Sequence, residues 1–478
     1  MSGRAARHGC LSLVLGLAAL GGVLPGPARA QSEVAAAQAA PAPEESSSGS
    51  PRVDARWPQL LGAQYTGIVQ NQTRLVSPYR GPLSLDPTGD TQPTHTLGIY
   101  LGWALSDWAQ YYLDTEKFMG AGVSNATGLG GLTNGDVVRE GAASLAKRFY
   151  MARSYLRLTH ALGTTRTHVD AAQDQVAGTE AQERLELKAG WLAVNDDFDH
   201  NRYAGGTRTQ FMNWSLWADP AWDYAADTRG YAQGFMLAYF SSRWIVRYGA
   251  YLMPVHANGQ PLESSFRKAR GEQLELTYTP QPDGAVLRAL LFRNIARMGV
   301  YEDALAVAAR TRSTPDIVAQ DAEGRRKWGW ALNGELPLAD QGRSGLFARL
   351  GWDDGRTESF AFTEVDRHLS LGGQVAGVHW GRAAETLAVA VVAQGLSAPH
   401  QAYLRAGGLG FLLGDGTLDY GPERILEVYY RHDWRVPGPW QRALSVQLSP
   451  DFQYIEDPGF NRARGPVRFW SLRLHVEY

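Results

Sequence analysis

The stretch WSLRLHVEY, at residues 470–478, alternates strictly between apolar and polar side chains. Its apolar positions are the even-numbered ones, from Trp470 to Tyr478, and Ser, Arg, His and Glu stand between them. Because successive side chains of a β-strand point to opposite faces of a sheet, this period of two predicts a strand with one apolar and one polar face. The fold class follows from the recurrence of this pattern along the chain.

Similar segments of about ten residues recur from residue 63 onward, bounded by Gly, Pro, Asp or Asn. In Thr96–Leu105 the odd-numbered positions are apolar, and in Lys327–Leu336 Trp and Leu residues oppose Lys, Asn and Glu. In Tyr150–His160 the pattern assigns Tyr150 and Ala152 to the apolar face. We count about sixteen such segments, which begin near residues 63, 96, 108, 149, 183, 232, 244, 272, 284, 327, 345, 367, 385, 424, 442 and 467.

Two architectures accommodate so many alternating strands: a soluble β-sandwich or propeller, and a membrane barrel, in which the apolar faces contact lipid. The polar faces carry Arg, Lys, Glu and His in strand after strand, as the wall of a water-filled lumen requires. Aromatic residues cluster near segment ends, Trp214 and Trp217 among them, where the girdles at the membrane interface lie. Since a closed barrel is the sheet that can span lipid without unpaired edges, we predict an all-β transmembrane antiparallel β-barrel of about sixteen strands.

Short helices are expected in the inward or surface loops of this barrel. The Ala-rich stretch Tyr301–Thr311 and the shorter stretches Gln210–Trp217 and His400–Ala406 favour helix over strand. The residues before the barrel divide into two parts. Residues 1–30, with Arg4 and Arg7 ahead of an apolar run and a small-residue site before Gln31, are typical of a cleaved signal peptide. Residues 31–56, rich in Ala, Pro and Ser, predict a disordered linker, and residues 57–478 the barrel.

The composition excludes several classes of function. With 46 basic and 48 acidic residues and a net charge of −2, the chain has no electrostatic basis for binding nucleic acid. No apolar run of about 18 residues follows the N-terminal region, which excludes a helical membrane bundle. There is no Gly-x-Ser-x-Gly motif, and the histidines are not at metal-ligand spacing. We therefore predict that the protein is not an enzyme and that it uses neither a cofactor nor a metal ion.

Several blocks of the chain resemble the carbohydrate-selective porin family (OprB-like) of Gram-negative outer membranes. They are Asn195–Ala204, Arg208–Trp214, Tyr224–Tyr231, Arg293–Met298, Ala406–Phe411 and Arg464–Tyr478. Gly205 and Gly206 stand where the family has Asp-Pro, so this loop is expected to turn differently. The resemblance implies a passive outer-membrane channel for carbohydrates, such as glucose and other monosaccharides, with loops folded inward to narrow the lumen. A general non-selective porin and a plugged barrel with a binding or enzymatic role remain alternatives.

Passage of a neutral, hydroxyl-rich solute requires hydrogen-bonding groups along the wall and weak binding, so that the solute is released. Charged side chains suit this purpose because hydrogen bonds to ions are stronger than neutral ones. The alternation and the inward loop supply these pore-lining candidates: Asp114, Glu116, Arg153, Arg157, Glu186, Lys188, Asp197, Asp199, Arg208, Arg243, Arg247, Glu427 and Arg431. Each of them either contacts solute or pairs with a neighbour to satisfy the barrel wall. The resemblance also implies an acidic group at the position of Glu116.

The predicted partners follow from the same class. They are small sugars, the lipid and lipopolysaccharide of the outer membrane, and the barrel-assembly machinery, which would recognise the strand that ends at Tyr478. Nucleic acid is not among them. The choice between a monomer and a homo-oligomer stays open.

Overall fold

The computed structural model describes residues 57–139, 145–439 and 442–478. The predicted signal peptide, at residues 1–30, and the predicted linker, at residues 31–56, lie outside the described residues. Within the described part, sixteen antiparallel strands close into one barrel. They are β1 (Leu60–Gln72), β2 (Asp90–Ser106), β3 (Ala109–Gly120), β4 (Tyr150–Ala161), β7 (Arg184–Leu192), β8 (Ala232–Phe240), β9 (Trp244–Tyr251), β10 (Arg270–Tyr278), β11 (Val286–Met298), β12 (Ala322–Ala339), β13 (Ser344–Asp353), β14 (Arg367–Ala376), β15 (Glu385–Gly395), β16 (Glu423–Pro437), β17 (Ala443–Glu456) and β18 (Val467–Glu477).

The remaining elements lie in the connections. Strands β5 (Arg166–Val169) and β6 (Gly178–Ala181) form a separate two-stranded sheet between β4 and β7. The α-helices of the described residues are α1 (Trp214–Trp217), α2 (Tyr301–Thr311) and α3 (Ala398–Arg405). Short 3-10 turns occupy Val123–Ala126, Val194–Asp196, Val318–Gln320, Asp340–Gly342, Gly377–Trp380 and Pro458–Phe460. Among the described residues, no helix is long and apolar enough to cross a membrane.

The two ends of the barrel differ in the length of their connections. Residues 107–108, 241–243 and 340–343 are tight turns at one end, which we call the short-turn end. Residues 73–89, 193–231 and 299–321 connect strands at the opposite, long-loop end. The connection between β4 and β7, residues 162–183, is an exception, because it is long and contains the β5–β6 hairpin at the short-turn end.

The two faces of the barrel wall differ in polarity, as the alternation predicted. On β18, Trp470 and Leu472 point outward and are 55% and 50% exposed, whereas Ser471, Arg473 and His475 point inward and are buried. The same alternation runs along β12, where the outward Trp and Leu side chains alternate with inward Lys, Asn and Glu. Polar side chains inside and apolar side chains outside reverse the arrangement of a soluble protein, and this reversal fits a wall that lies in lipid.

The predicted number of barrel strands, about sixteen, is confirmed, because the closed barrel has sixteen strands. The predicted helix Tyr301–Thr311 has these bounds in the structure. Helix α3 begins two residues early, at Ala398, because the Ser397 side chain caps it by accepting a hydrogen bond from the His400 N–H. The helix predicted at Gln210–Trp217 is wrong over its first half, and only α1 remains.

The predicted outer face of β4 is wrong at its start. The register with β3 shifts between Asp114, which pairs with Arg153, and Thr115, which pairs with Met151. This bulge inserts one residue, so Ala152 is buried and the Tyr150 hydroxyl donates a hydrogen bond to Glu116 in the lumen. A β-bulge changes the face on which the residues beyond it lie.

Candidate functional site

A loop folded into the lumen is the main feature of the barrel interior. Residues 193–231, which we call the crossing loop, leave the wall at β7 and return to it at β8. On the opposite side of the barrel, Glu427 of β16 accepts hydrogen bonds from the N–H groups of Met212 and Asn213. Phe211 packs against Tyr429 of the same strand, with ring centroids 5.0 Å apart. The loop therefore spans the lumen rather than covering its mouth.

Buried ionic contacts attach the crossing loop to further strands. Arg349 of β13 is fully buried and lies 3.0 Å from the carboxylate of Asp199. It also donates hydrogen bonds to the carbonyls of Ala204 and Leu216, at 2.8 and 2.6 Å. Asn333 of β12 adds another hydrogen bond to Asp199, at 2.6 Å. A buried arginine surrounded by acceptors on one loop holds that loop in one conformation, since its removal would leave these acceptors unsatisfied.

Aromatic side chains of the crossing loop form a cluster inside the barrel. Trp214 packs against Trp217 and Phe362, with ring centroids 4.5 and 4.6 Å apart, and Tyr224 lies beside them. Trp214 and Trp217 are 5% and 8% exposed. The prediction that these two tryptophans belong to an interface girdle is therefore wrong. They lie on a loop within the lumen, and an alternating pattern does not distinguish such a loop from a strand end.

A cavity of 360 Å³ lies between the crossing loop and the wall. Its lining combines charged and aromatic side chains. The charged residues include Glu116, Asp136, Arg153 and Arg208. The aromatic lining of this central cavity includes Trp214, Trp217, Tyr224 and Phe362 of the cluster just described, together with Tyr150 and Tyr231.

Arg208 lies at the centre of the charged residues that line the central cavity. Its guanidinium lies 2.9 Å from Glu116 of β3 and 2.8 Å from Asp136 in the segment 121–139. The Tyr231 and Tyr150 hydroxyls donate hydrogen bonds to the Glu116 carboxylate, at 2.6 and 3.2 Å. Burial raises the pKa of Asp136, although Arg208 opposes this shift. The arrangement places a cationic hydrogen-bond donor, Arg208, and the carboxylate acceptors of Glu116 and Asp136 within one small space.

Arg153 forms a second ionic group at the edge of the central cavity. It lies 3.1 Å from Asp114 of β3, 2.6 Å from Asp196 of the crossing loop and 3.3 Å from Asp174 of the connection 162–183. The carboxylates thus come from three separate parts of the chain. Arg153 therefore joins the wall, the crossing loop and the short-turn end.

The thirteen predicted pore-lining residues separate into groups. Glu116, Arg153 and Arg208 line the central cavity, and Arg157 and Glu186 line a larger cavity of 700 Å³ at the short-turn end. The remaining residues, apart from Arg243, form ion pairs or hydrogen bonds with other residues of the protein. Arg243 is exposed in the turn 241–243. The pairs are Asp114 with Arg153, Lys188 with Asp197, Asp199 with Arg349, Arg247 with Glu275, Glu427 with the N–H groups of Met212 and Asn213, and Arg431 with the carbonyl of Thr209.

Sequence reasoning missed most of the cavity lining that lies outside the strands, and Asp136 is an example. The Gly-rich stretch Gly128–Gly135, which directly precedes Asp136, is the sequence feature that could have indicated close packing of this segment. A Cβ on Gly135 would lie 2.2 Å from the Trp217 indole nitrogen, and one on Gly131 would lie 2.7 Å from the Ser215 hydroxyl. These glycines let the segment 121–139 pack directly on the crossing loop, which brings Asp136 to Arg208.

The model of the carbohydrate-selective porin, OprB family matches residues 95–478. The chain belongs to this family. The porin also matches the high-pH structure of Pseudomonas putida OprB with a TM-score of 0.61 and 15% sequence identity, over 87% of this chain and 94% of that one. This likeness confirms the fold of the porin barrel. No curated protein sequence matches the porin significantly.

A second solved structure, the outer membrane channel DcaP of Acinetobacter baumannii, matches at a TM-score of 0.47 and 9% identity, over 88% of this chain and 96% of that one. Family and fold together identify the chain as a porin of the Gram-negative outer membrane, a class of channels and not of enzymes. The predicted fold class and location are confirmed.

Proposed function

We propose that this porin passes neutral sugars passively through the central cavity, and that monosaccharides such as glucose are its preferred solutes. The observation that carries the proposal is that the Glu116–Arg208–Asp136 group and several aromatic side chains line the same cavity of 360 Å³. A sugar ring has hydroxyl groups at its rim and C–H groups on its faces. Its rim matches the ionic group, and its faces match the flat aromatic side chains.

The size and the charge balance of the cavity support a small neutral solute. Ligand cavities range from about 300 to 1,000 Å³, and 360 Å³ lies near the lower bound. The lining contains carboxylates and guanidinium groups together, so the cavity does not carry an excess of one charge that would favour an anion or a cation. Conduction also requires weak binding, and ion pairs that already satisfy one another bind a solute only by sharing their hydrogen bonds.

The proposal gives the predicted residues two roles. Glu116, Arg153 and Arg208 contact the sugar, and the paired residues elsewhere hold the crossing loop and the wall in place. The domain assignment belongs to the same proposal: residues 1–30 direct export and are removed, residues 31–56 are a linker and residues 57–478 form the barrel. Insertion by the assembly machinery through the last strand, among outer-membrane lipid and lipopolysaccharide, completes it.

The test is single-channel conductance of the purified protein in a planar bilayer, titrated with glucose and with maltose-type sugars. Saturable block of the open channel, stronger for glucose, is the expected result. Open channels that ignore sugar would indicate a general porin and contradict the proposal. A folded barrel that never conducts would indicate a plugged lumen and would contradict passage altogether.

A further inference from the structure

The connection between β4 and β7, residues 162–183, is not explained by the proposed passage of sugar. It lies at the short-turn end, which faces the periplasm in outer-membrane barrels. Within it, β5 and β6 pair antiparallel from Arg166 with Ala181 to Val169 with Gly178. A tight turn follows, closed by two backbone hydrogen bonds between Ala172 and Gln175. This hairpin is longer than a barrel turn requires.

The tip of the hairpin is inserted into the lumen. Val176 is buried, and its N–H donates a hydrogen bond to the hydroxyl of Tyr112, which lies on the inner face of β3. A Cβ on Gly102 of β2 would approach the Val176 side chain to 3.0 Å, so the glycine leaves the space that the tip occupies. In contrast, His168 on β5 is exposed. The hairpin therefore stands partly outside the barrel, with its tip inside.

Polar contacts hold the tip against three strands of the wall. The Gln173 side chain donates a hydrogen bond to Asp114 of β3, at 2.9 Å, and accepts one from Gln64 of β1, at 3.3 Å. Asp174 lies 3.3 Å from Arg153 of β4. At the base of the hairpin, Glu180 lies 2.5 Å from Arg157. These contacts orient the tip towards the central cavity.

Residues of the hairpin line three cavities. Gln173 lines the central cavity, and Ala171 and Ala172 line a cavity of 310 Å³. Glu180 and Arg166 line the 700 Å³ cavity at the short-turn end. A solute that leaves the central cavity towards the short-turn end therefore passes residues of the hairpin.

We propose that the tip of the β5–β6 hairpin forms a second narrow segment of the channel, and that Gln173 limits the size of the sugar that leaves the central cavity. This inference rests on the proposed function and extends it. The crossing loop selects a solute by contact, and the hairpin then excludes those too large to turn past its tip. Gln173, an amide with donors and an acceptor, offers the departing sugar hydrogen bonds without charge.

The test replaces residues 170–177 by Asn-Gly in the full-length protein. Val169 and Gly178 pair directly, and Asn-Gly is the preferred two-residue connection between paired strands, so the shortened hairpin keeps its base. Two narrow segments in series add their resistances, so removal of one should raise the conductance, by about twofold where the two contribute equally. Maltose-type sugars should then permeate at rates closer to those of glucose. His168→Ala, on the exposed part of the hairpin, is the matched control and should change neither property.

A second variant covers the case in which the shortened protein fails to fold. Gln173→Cys introduces a thiol at the tip, and the single native cysteine, Cys10, lies in the predicted signal peptide. A small thiol reagent added from the short-turn side should reduce the current, and bound glucose should slow this reaction. His168→Cys should be modified without loss of current.

The outcomes separate the inference from the proposed function. Channels that sugar blocks, but whose conductance and size limit do not respond to the shortened hairpin or to modification at position 173, would overturn the inference alone. A wild-type barrel that does not conduct but opens when the hairpin is shortened would support the hairpin as an obstruction and overturn the proposed passage of sugar.

Discussion

The crossing loop and the β5–β6 hairpin narrow the same lumen from opposite ends, but they are held in different ways. The crossing loop is anchored by fully buried groups, such as Arg349 and Glu427, and its aromatic residues pack into a core. The hairpin has one buried apolar residue at its tip, Val176, and polar contacts that retain partial exposure. We infer that the crossing loop is held permanently in the lumen, whereas the hairpin is the part that can move.

The strongest test of this contrast is Arg349→Ala. Removal of one partner of a buried ion pair costs about 3–5 kcal/mol, and here it also leaves carbonyls of the crossing loop without a donor. We expect a loss of this size in the free energy of unfolding, measured by denaturant titration of the refolded barrel. Arg293→Ala breaks an exposed pair with Glu272 and should cost less than about 1 kcal/mol. Equal losses in the two variants would refute the anchoring role of Arg349.

A pH titration tests burial within the crossing loop itself. Burial, reinforced by the nearby carboxylate of Asp199, raises the pKa of Asp219 from 3.8 to about 8. Between these values the unfolded chain has released the proton while the folded loop keeps it, so stability falls as the pH rises from 4 towards 8. Asp219→Asn should remove this part of the pH dependence, and its gain in melting temperature over the wild type should grow with pH. Asp170→Asn, which changes an exposed residue of the hairpin, is the control, and its melting temperature should depend on pH as that of the wild type does. If the melting temperature of Asp219→Asn also followed the pH dependence of the wild type, the prediction would be contradicted.

A smaller effect is expected at the ionic side of the central cavity. Glu116→Gln removes the charge that Arg208 and the Tyr231 hydroxyl recognise but keeps the shape of the side chain. A hydrogen bond to a charged group contributes about 1.5–3 kcal/mol, so the glucose concentration for half-maximal block should rise at least about tenfold. Glu272→Gln, on the outward face of β10, is the control and should leave the block unchanged. An unchanged block in Glu116→Gln would remove this carboxylate from the solute pathway.

The smallest effect concerns the base of the hairpin. Glu180→Gln weakens the contacts with Arg157 and Arg184, which lie at 2.5 and 3.1 Å and keep some exposure. Gln keeps a hydrogen-bond acceptor, and both arginines keep Glu186 as a partner, so the loss in stability should be much smaller than that of Arg349→Ala, while the hairpin moves more freely and the open-channel current becomes noisier. Glu183→Gln, an exposed neighbour, is the control. A large loss of stability in Glu180→Gln would show that the hairpin is as firmly anchored as the crossing loop.

The sequence predicted the wall better than the lumen. Every predicted strand corresponds to a strand of the barrel, because lipid on one side and water on the other impose a period of two that is visible in each segment. The start of β4 shows the limit of this rule. A bulge at Ala152 moves Tyr150 to the inner face. The alternation of the local sequence does not indicate that a residue is inserted there.

The residues inside the lumen were predicted less completely, because their contacts join segments that lie far apart in the sequence. Asp199 was among the pore-lining candidates predicted from the sequence, but its partner Arg349 comes from a strand far along the chain. Trp214 and Trp217 were expected at the membrane interface, because an aromatic residue near the end of a strand has the same local signature as one on an infolded loop. The β5–β6 hairpin within residues 162–183 was not predicted from the sequence.

The sequence by itself therefore determined that this protein is an outer-membrane barrel of about sixteen strands and which side chains face the lumen on most of them. Each of these features depends on neighbours in the chain and on the period of a single strand. The tertiary structure alone decided which lumen residues meet. Arg208 reaches Glu116 and Asp136, and Gln173 reaches Asp114, because two connections from opposite ends fold into one space. Contacts between distant segments depend on the packing of the whole lumen, and local periodicity does not record that packing.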